Sequence, residues 1–171
     1  MVTEDFNRTL DNWIQELERY DFSQLCAKPS PSSWSLGQVF MHLIENTHYY
    51  LEQIRICVLT NDHENEEASP HGKKMLSNNE FPDEIMEGPP ENSRTRQPTS
   101  KEQLMRSFLK LKDEVRAIEG LLLQSTCRGK TKHPGLNYFN AKEWLQFADM
   151  HFRHHLRQKK RIDAFLKLSS S

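Results

Sequence analysis

Three helix-start signals, each followed by an apolar stripe of helical period, constrain what this chain can fold into. Ser35 with Gln38, Thr99 with Glu102 and Asn140 with Glu143 each place a short hydroxyl or amide three residues before a Glu or Gln. That spacing lets both side chains satisfy backbone N–H groups at a helix start. Trp34 with Val39, and Phe139 with Trp144, add hydrophobic staples around two of them. The spacing predicts helices from Ser35 to about Leu59, from Thr99 through Leu122 and from Asn140 to about Leu168. An uncapped amphipathic stretch, about residues 4 to 25, presents Phe6, Leu10, Trp13, Ile14 and Leu17 on one face. In the third helix Leu104, Phe108, Leu111, Val115, Ile118 and Leu122 alternate in steps of four and three, the pattern of a bundle seam. Gly and Pro cluster outside these stretches and no strand-like alternation competes. The expectation is an all-α four-helix bundle.

Residues 60–98 form a long connection between the second and third helices. Their Pro, Asn, Glu and Gly content argues against one continuous helix, and a connection of this length is usually functional or disordered. Such a stretch can carry the chain along the whole bundle before the third helix begins. A single domain over residues 1–168, with 169–171 a frayed tail, fits a chain of 171 residues.

Charge and cysteine content exclude several functions. With 23 Lys+Arg against 24 Asp+Glu there is no cation excess for nucleic-acid phosphates. The run "RQKKR" (157–161) reads as the solvated side of the last helix. No segment approaches the roughly 20 apolar residues that span a bilayer, so neither nucleic acid nor membrane is expected as a partner. Cys26, Cys57 and Cys127 are too widely spaced for a disulfide framework or a CxxC metal site. A reducing, cytoplasmic setting is expected.

The last helix contains the anomaly. In "HFRHHLRQKK", His151 and His155 project onto the middle of the stripe formed by Trp144, Phe147, Ala148, Ile162, Phe165 and Leu166, and Gln158 continues the line. Burying an unpaired polar group costs about 1–3 kcal/mol, so something must satisfy these nitrogens. Carbonyls or water would make them ordinary core histidines; a divalent metal would use them as ligands. A third ligand should then come from another helix. His42, two turns after a strong cap and above a polar line of Asn46, Tyr49 and Gln53, is the best candidate. His154, offset by about 60°, is placed at the rim and is the alternative to His155. His133 sits at the mouth of such a site or in a turn, while His48, His63 and His71 read as surface or loop residues. No catalytic base is assignable: Glu45 and Asp149 are near in sequence, but neither projects towards the three histidines.

Two segments, "WSLGQVFMHLIENTHYY" and "HPGLNYFNAKEWLQFADMHFRHHLRQKKRI", resemble the DinB/YfiT-like family of small four-helix metalloproteins. The second is similar to that family's HP-x-G-x-L, E-W-L and H-x3-H-x2-Q signature, and together the matches cover about 50 residues. The resemblance implies a divalent metal, zinc or nickel, held by His42, His151 and His155. It also implies an up-down-down-up bundle and, commonly, a homodimer. Many members carry Arg-Gly before the motif's Gln where this chain has Leu156 and Arg157, so the likeness extends to the ligands rather than to a particular substrate.

Three imidazoles leave a coordination position open, as in catalytic rather than structural zinc sites. Because the family it resembles includes metal-dependent hydrolases and enzymes that transfer low-molecular-weight thiols, the resemblance implies a metal-dependent enzyme acting on a small molecule, as a hydrolase or a low-molecular-weight-thiol S-transferase. The competing reading is a non-catalytic bundle in which a metal staples two helices.

Overall fold

The computed structural model describes residues 2–83 and 94–167. Its helices are α1 (Val2–Glu18), α2 (Phe22–Cys26), α3 (Leu36–Cys57), α4 (Pro70–Asn78), α5 (Lys101–Gln124) and α6 (Ala141–Leu166). Strands β1 (Lys130–His133) and β2 (Asn137–Asn140) pair antiparallel between α5 and α6. The four long helices α1, α3, α5 and α6 form the all-α bundle.

Cross-helix contacts give the directions. Thr9 meets Asp149 and Tyr20 meets Asp163, so α1 and α6 run parallel. His42 meets His151 while Tyr50 stacks on Trp144, so α3 runs opposite to α6. Gln103 lies against Met41 and Glu114 against His48, making α5 parallel to α3. The order is up-down-down-up, and the long 60–98 connection is what returns the chain to the end from which α3 began.

Phe6, Trp13, Phe40, Phe108 and Phe152 are at most 1% exposed and come from all four long helices. The Phe152 ring lies 5.5 Å from Phe6, 5.9 Å from Trp13 and 5.8 Å from Phe108, in tilted or edge-on geometry. Such pairs contribute about 0.5–1.5 kcal/mol each beyond the area they bury.

Several elements depart from the sequence expectation, each for a local reason. The first amphipathic stretch is two helices, because Asp21 caps a new one: its carboxylate accepts the Gln24 N–H, and the Gln24 side chain returns to the Asp21 N–H. The third long helix is capped by Ser100, not Thr99. Ser100 Oγ accepts the Gln103 N–H, one residue later than the Thr99–Glu102 spacing implies. The boxes at Ser35 and Asn140 form as expected.

The expected absence of strands fails at β1 and β2. These strands are four residues each, too short and too polar ("KTKH" and "NYFN") to give an alternation signal. They are fixed from outside: a Cβ on Gly129, just before β1, would meet Thr60 O at 2.4 Å, so only glycine lets the hairpin close against the end of α3. Within 60–98, α4 is an additional helix capped by Ser69 with Pro70 in its first turn. Residues 84–93 of that connection, and the expected tail 169–171, lie outside the described residues.

Two side chains of α6 reverse their expected exposure. Phe165, placed in the stripe, is 46% exposed, whereas Lys159, placed on the solvated side, is 6% exposed. The α6 stripe drifts as it passes the end of α1, and Lys159 meets Asp163 Oδ2 at 2.7 Å and Glu16 Oε2 at 2.6 Å. Tyr20 donates its hydroxyl to the other Asp163 oxygen at 2.5 Å.

Candidate metal centre

The capped start of α3 fixes the height of His42, and the antiparallel packing of α3 on α6 brings it opposite the centre of the α6 stripe. There His42, His151 and His155 converge: their ligand atoms all lie within 4.8 Å of one another. His151 Nε2 is 3.1 Å from His42 Nε2 and 3.1 Å from His155 Nε2. His42 and His151 are 7% and 6% exposed.

Proton counting defines what this cluster needs. His155 Nδ1–H donates to Gln158 Oε1 at 2.9 Å, which leaves its Nε2 lone pair facing inward. A neutral imidazole nitrogen offers either one proton or one lone pair. His151 Nε2 therefore makes at most one of its two 3.1 Å contacts as a hydrogen bond. On the far side of the ring, His151 Nδ1 is buried with no hydrogen-bond partner among the described residues.

Charging the cluster with protons is disfavoured. Burial pushes His42 down to about 3, assisted by the proximity of His155. His155 is lowered to about 4, by burial and by His154 against the opposing hydrogen bond from Gln158. His151 falls well below the usual imidazole value, through burial and then its three histidine neighbours. Three neutral imidazoles with inward nitrogens are the donor set of zinc, nickel and related divalent ions.

Aromatic rings wall the cluster. Trp34 lies 4.9 Å from the His42 ring, Phe81 is stacked 5.9 Å from His151, and Tyr50 meets His151 edge-on at 5.9 Å. Phe81 is positioned from the far side of α6. Arg153 donates to Asn79 O at 2.8 Å and Asn79 Oδ1 at 3.0 Å, and Gln146 donates to Leu76 O at 2.8 Å. Asn79 ends α4 in the left-handed region, at φ 54°, which turns the chain towards His151. Neither Trp34 nor Phe81 was visible as a site residue from sequence. Both lie outside any periodic stretch, and only the fold brings them to the imidazoles.

The other candidates separate cleanly. His154 is beside the cluster but outside it, 5.3 Å from the His155 ring and 5.1 Å from Phe81. His133 takes the turn role: its Nδ1 accepts the Gly135 N–H at 3.1 Å, with its ring against Phe147. His48 pairs with Glu114, and His63 packs on Tyr138. Asp149 is directed at α1, accepting from Thr9 at 2.6 Å and from Arg153 at 3.0 Å, and Glu45 is exposed. Of the polar line below His42, only Asn46 reaches the cluster, with Nδ2 2.9 Å from His42 Nδ1.

Residues 5–158 match the DinB superfamily. The chain belongs to the DinB superfamily. Among solved structures, this DinB-superfamily chain is similar to YfiT from Bacillus subtilis, described as "a probable metal-dependent hydrolase with an unusual four-helix bundle topology". The likeness has a TM-score of 0.60 at 13% identity, and covers 98% of this chain and 89% of that one. At that identity it establishes the shared bundle. No curated protein matches the chain. Among the described residues, no helix of this DinB-superfamily chain is long and apolar enough to cross a membrane.

Proposed function

We propose that the chain is a metal-dependent enzyme acting on a small molecule, a hydrolase or a low-molecular-weight-thiol S-transferase, with zinc or nickel held by His42, His151 and His155. The observation that carries this reading is the pair of 3.1 Å contacts at His151 Nε2, which two hydrogen bonds cannot explain together. A cation among three lone pairs accounts for both. The description of YfiT as a probable metal-dependent hydrolase supports the same reading.

The residues around the cluster suit this role. Gln158 fixes the His155 tautomer by accepting from Nδ1. The Asn46 amide nitrogen lies 2.9 Å from His42 Nδ1 and 3.1 Å from His42 Nε2, so it can donate to whichever of the two lacks the proton. Turning that amide over lets Oδ1 accept from Nδ1–H and frees Nε2 as a ligand, so the same side chain serves both tautomers. A bound divalent ion supplies Lewis acidity and lowers the pKa of a water or thiol that it holds. Trp34 and Phe81 keep the surroundings apolar, which strengthens electrostatic interactions there. The three histidines form a candidate metal group with no fourth His, Cys, Asp or Glu among the described residues. That composition supports an open, reactive position over a closed structural staple.

The test is turnover by metal-loaded protein and by His151→Ala. One arm measures ester and amide hydrolysis; the other measures conjugation of a cellular thiol to a chlorinated aromatic. Metal-dependent turnover in one arm, abolished by His151→Ala, is the expected result. Turnover in neither arm, with no exchangeable ligand in the spectrum of the cobalt-substituted protein, would leave the helix staple as the better account.

A further inference from the structure

On the side of α6 next to the histidine cluster lies an open cleft with a volume of about 90 Å³, lined by Glu80, Phe81, Met150, Arg153, His154 and Arg157. Its two arginines are in different states. The Arg153 guanidinium is held at each of its three nitrogens, by Asp149 and by Asn79, so it serves as a wall. Arg157 is not. Its Nη1 lies 2.8 Å from Asp83 Oδ1, yet the two are not aligned as a hydrogen bond, and Nη1 is a buried donor with no hydrogen-bond partner among the described residues. Asp83 is itself 87% exposed. Beside Arg157, His154 Nδ1 is also buried without a hydrogen-bond partner among the described residues.

We propose that this cleft is a binding subsite for the carboxylate of a small, partly apolar molecule, with Arg157 and His154 as its polar contacts and Phe81 and Met150 as its apolar ones. A guanidinium is a planar fork that matches a carboxylate with two parallel hydrogen bonds. Asp83 shows that the fork attracts a carboxylate, but an exposed ion pair contributes little, so a better-seated carboxylate displaces it. Glu80 on the rim opposes a dianion, which favours a carboxylate over a phosphate monoester. Arg161, one turn further along α6, adds to the positive field at His154.

The role of this subsite in a reaction rests on the proposed metal centre, because Phe81 is the wall shared by the cleft and His151. A substrate held here by its carboxylate would lie along the edge of the three imidazoles. The binding itself does not depend on the metal, and that separates the two claims.

The experiment titrates benzoate, neutral benzamide and phenyl phosphate into full-length protein, both zinc-loaded and chelated. The readouts are the NMR signals of the Arg157 Nε–H and the His154 ring. Benzoate should saturate both signals in both forms, and benzamide should bind at least about tenfold more weakly. R157Q should weaken benzoate about tenfold, R157K should recover part of the loss, and D83N, which removes the competing carboxylate, should tighten it. Equal affinity for benzoate and benzamide, or an unchanged benzoate affinity in R157Q with native circular dichroism, would overturn the proposal. Tighter binding of phenyl phosphate than of benzoate would overturn the assignment to carboxylates. Benzoate binding retained in a His42→Ala protein that holds no metal shows the subsite standing on its own. Loss of benzoate binding from a protein that still holds metal overturns the subsite alone.

Discussion

His133 gives the fold a pH dependence that can be worked out from its surroundings. Its Nδ1 accepts the Gly135 N–H, and its ring is enclosed by Phe139, Trp144 and Phe147 at 5.2, 5.4 and 4.9 Å. Protonating Nδ1 would break that hydrogen bond and place a charge among rings. Accordingly, burial lowers its pKa from 6.5 to about 4. In the unfolded chain the imidazole takes a proton as pH falls through about 6.5, while the folded chain refuses it until about 4. Stability from this site is therefore complete above neutrality and is lost as pH falls between those values. The full span is worth about 3 kcal/mol and the portion lost by pH 5 about 2 kcal/mol. Because the ring is partly exposed, solvent screening reduces the latter to roughly 1–2 kcal/mol. Urea unfolding with chelator, followed by circular dichroism at about pH 7.5 and about pH 5, should show the native chain losing that much more stability than His133→Gln. The His133 ring signal should titrate near 4 rather than near 6.5. Parallel pH profiles for the two proteins would refute the argument, since a side chain that titrates alike in both states cannot contribute.

Protein purified without an affinity tag should retain about one divalent ion per chain. His42→Ala and His155→Ala should lose most of it and His154→Ala should keep it, as elemental analysis will show; the reverse pattern for the last two would reassign the ligand pair. Chelation should lower the melting temperature but leave the helical circular dichroism, because the apolar core closes without the ion; collapse of the helical signal would contradict an independently folding bundle. Lys159→Met takes the cation from the buried Asp163 carboxylate, which keeps the Tyr20 hydroxyl, while Glu16 keeps Arg19, and should cost about 3–5 kcal/mol in urea unfolding. A loss below about 0.5 kcal/mol would mean the three charges are hydrated as a surface run would be.

Whether an element was legible in the sequence depended on whether its signal was local. The bundle was legible because Ser35–Gln38 and Asn140–Glu143 carry their own caps, and because seams such as Leu104 to Ile118 repeat within one helix. The three histidines could be picked out for a similar reason: a polar group in the middle of an apolar stripe conflicts with its neighbours in sequence. The break at Asp21 was legible in principle, as Asp21 and Gln24 have the spacing of a capping box, but the continuous apolar face of the stretch masked it. Lys159 was not legible, because its partner Glu16 comes from α1, at the other end of the chain. The hairpin depends in the same way on Gly129 meeting Thr60, and Phe81 on Arg153 holding the end of α4. These are tertiary relations, and a spacing rule within one segment cannot contain them.

The parallel course of α1 and α6 and the antiparallel course of α3 against α6 mean that the histidine cluster is assembled from remote pieces. His42 and His151 are 109 residues apart, so their meeting waits on the ordering of nearly everything between them. The chain cannot gather an ion early and fold around it, as a zinc finger does. An ion taken up by this protein would act as a receipt: its presence would report that the first and last parts of the chain have found each other. A partly folded chain, with α6 still undocked, would have two imidazoles on one turn and no third to hold the metal.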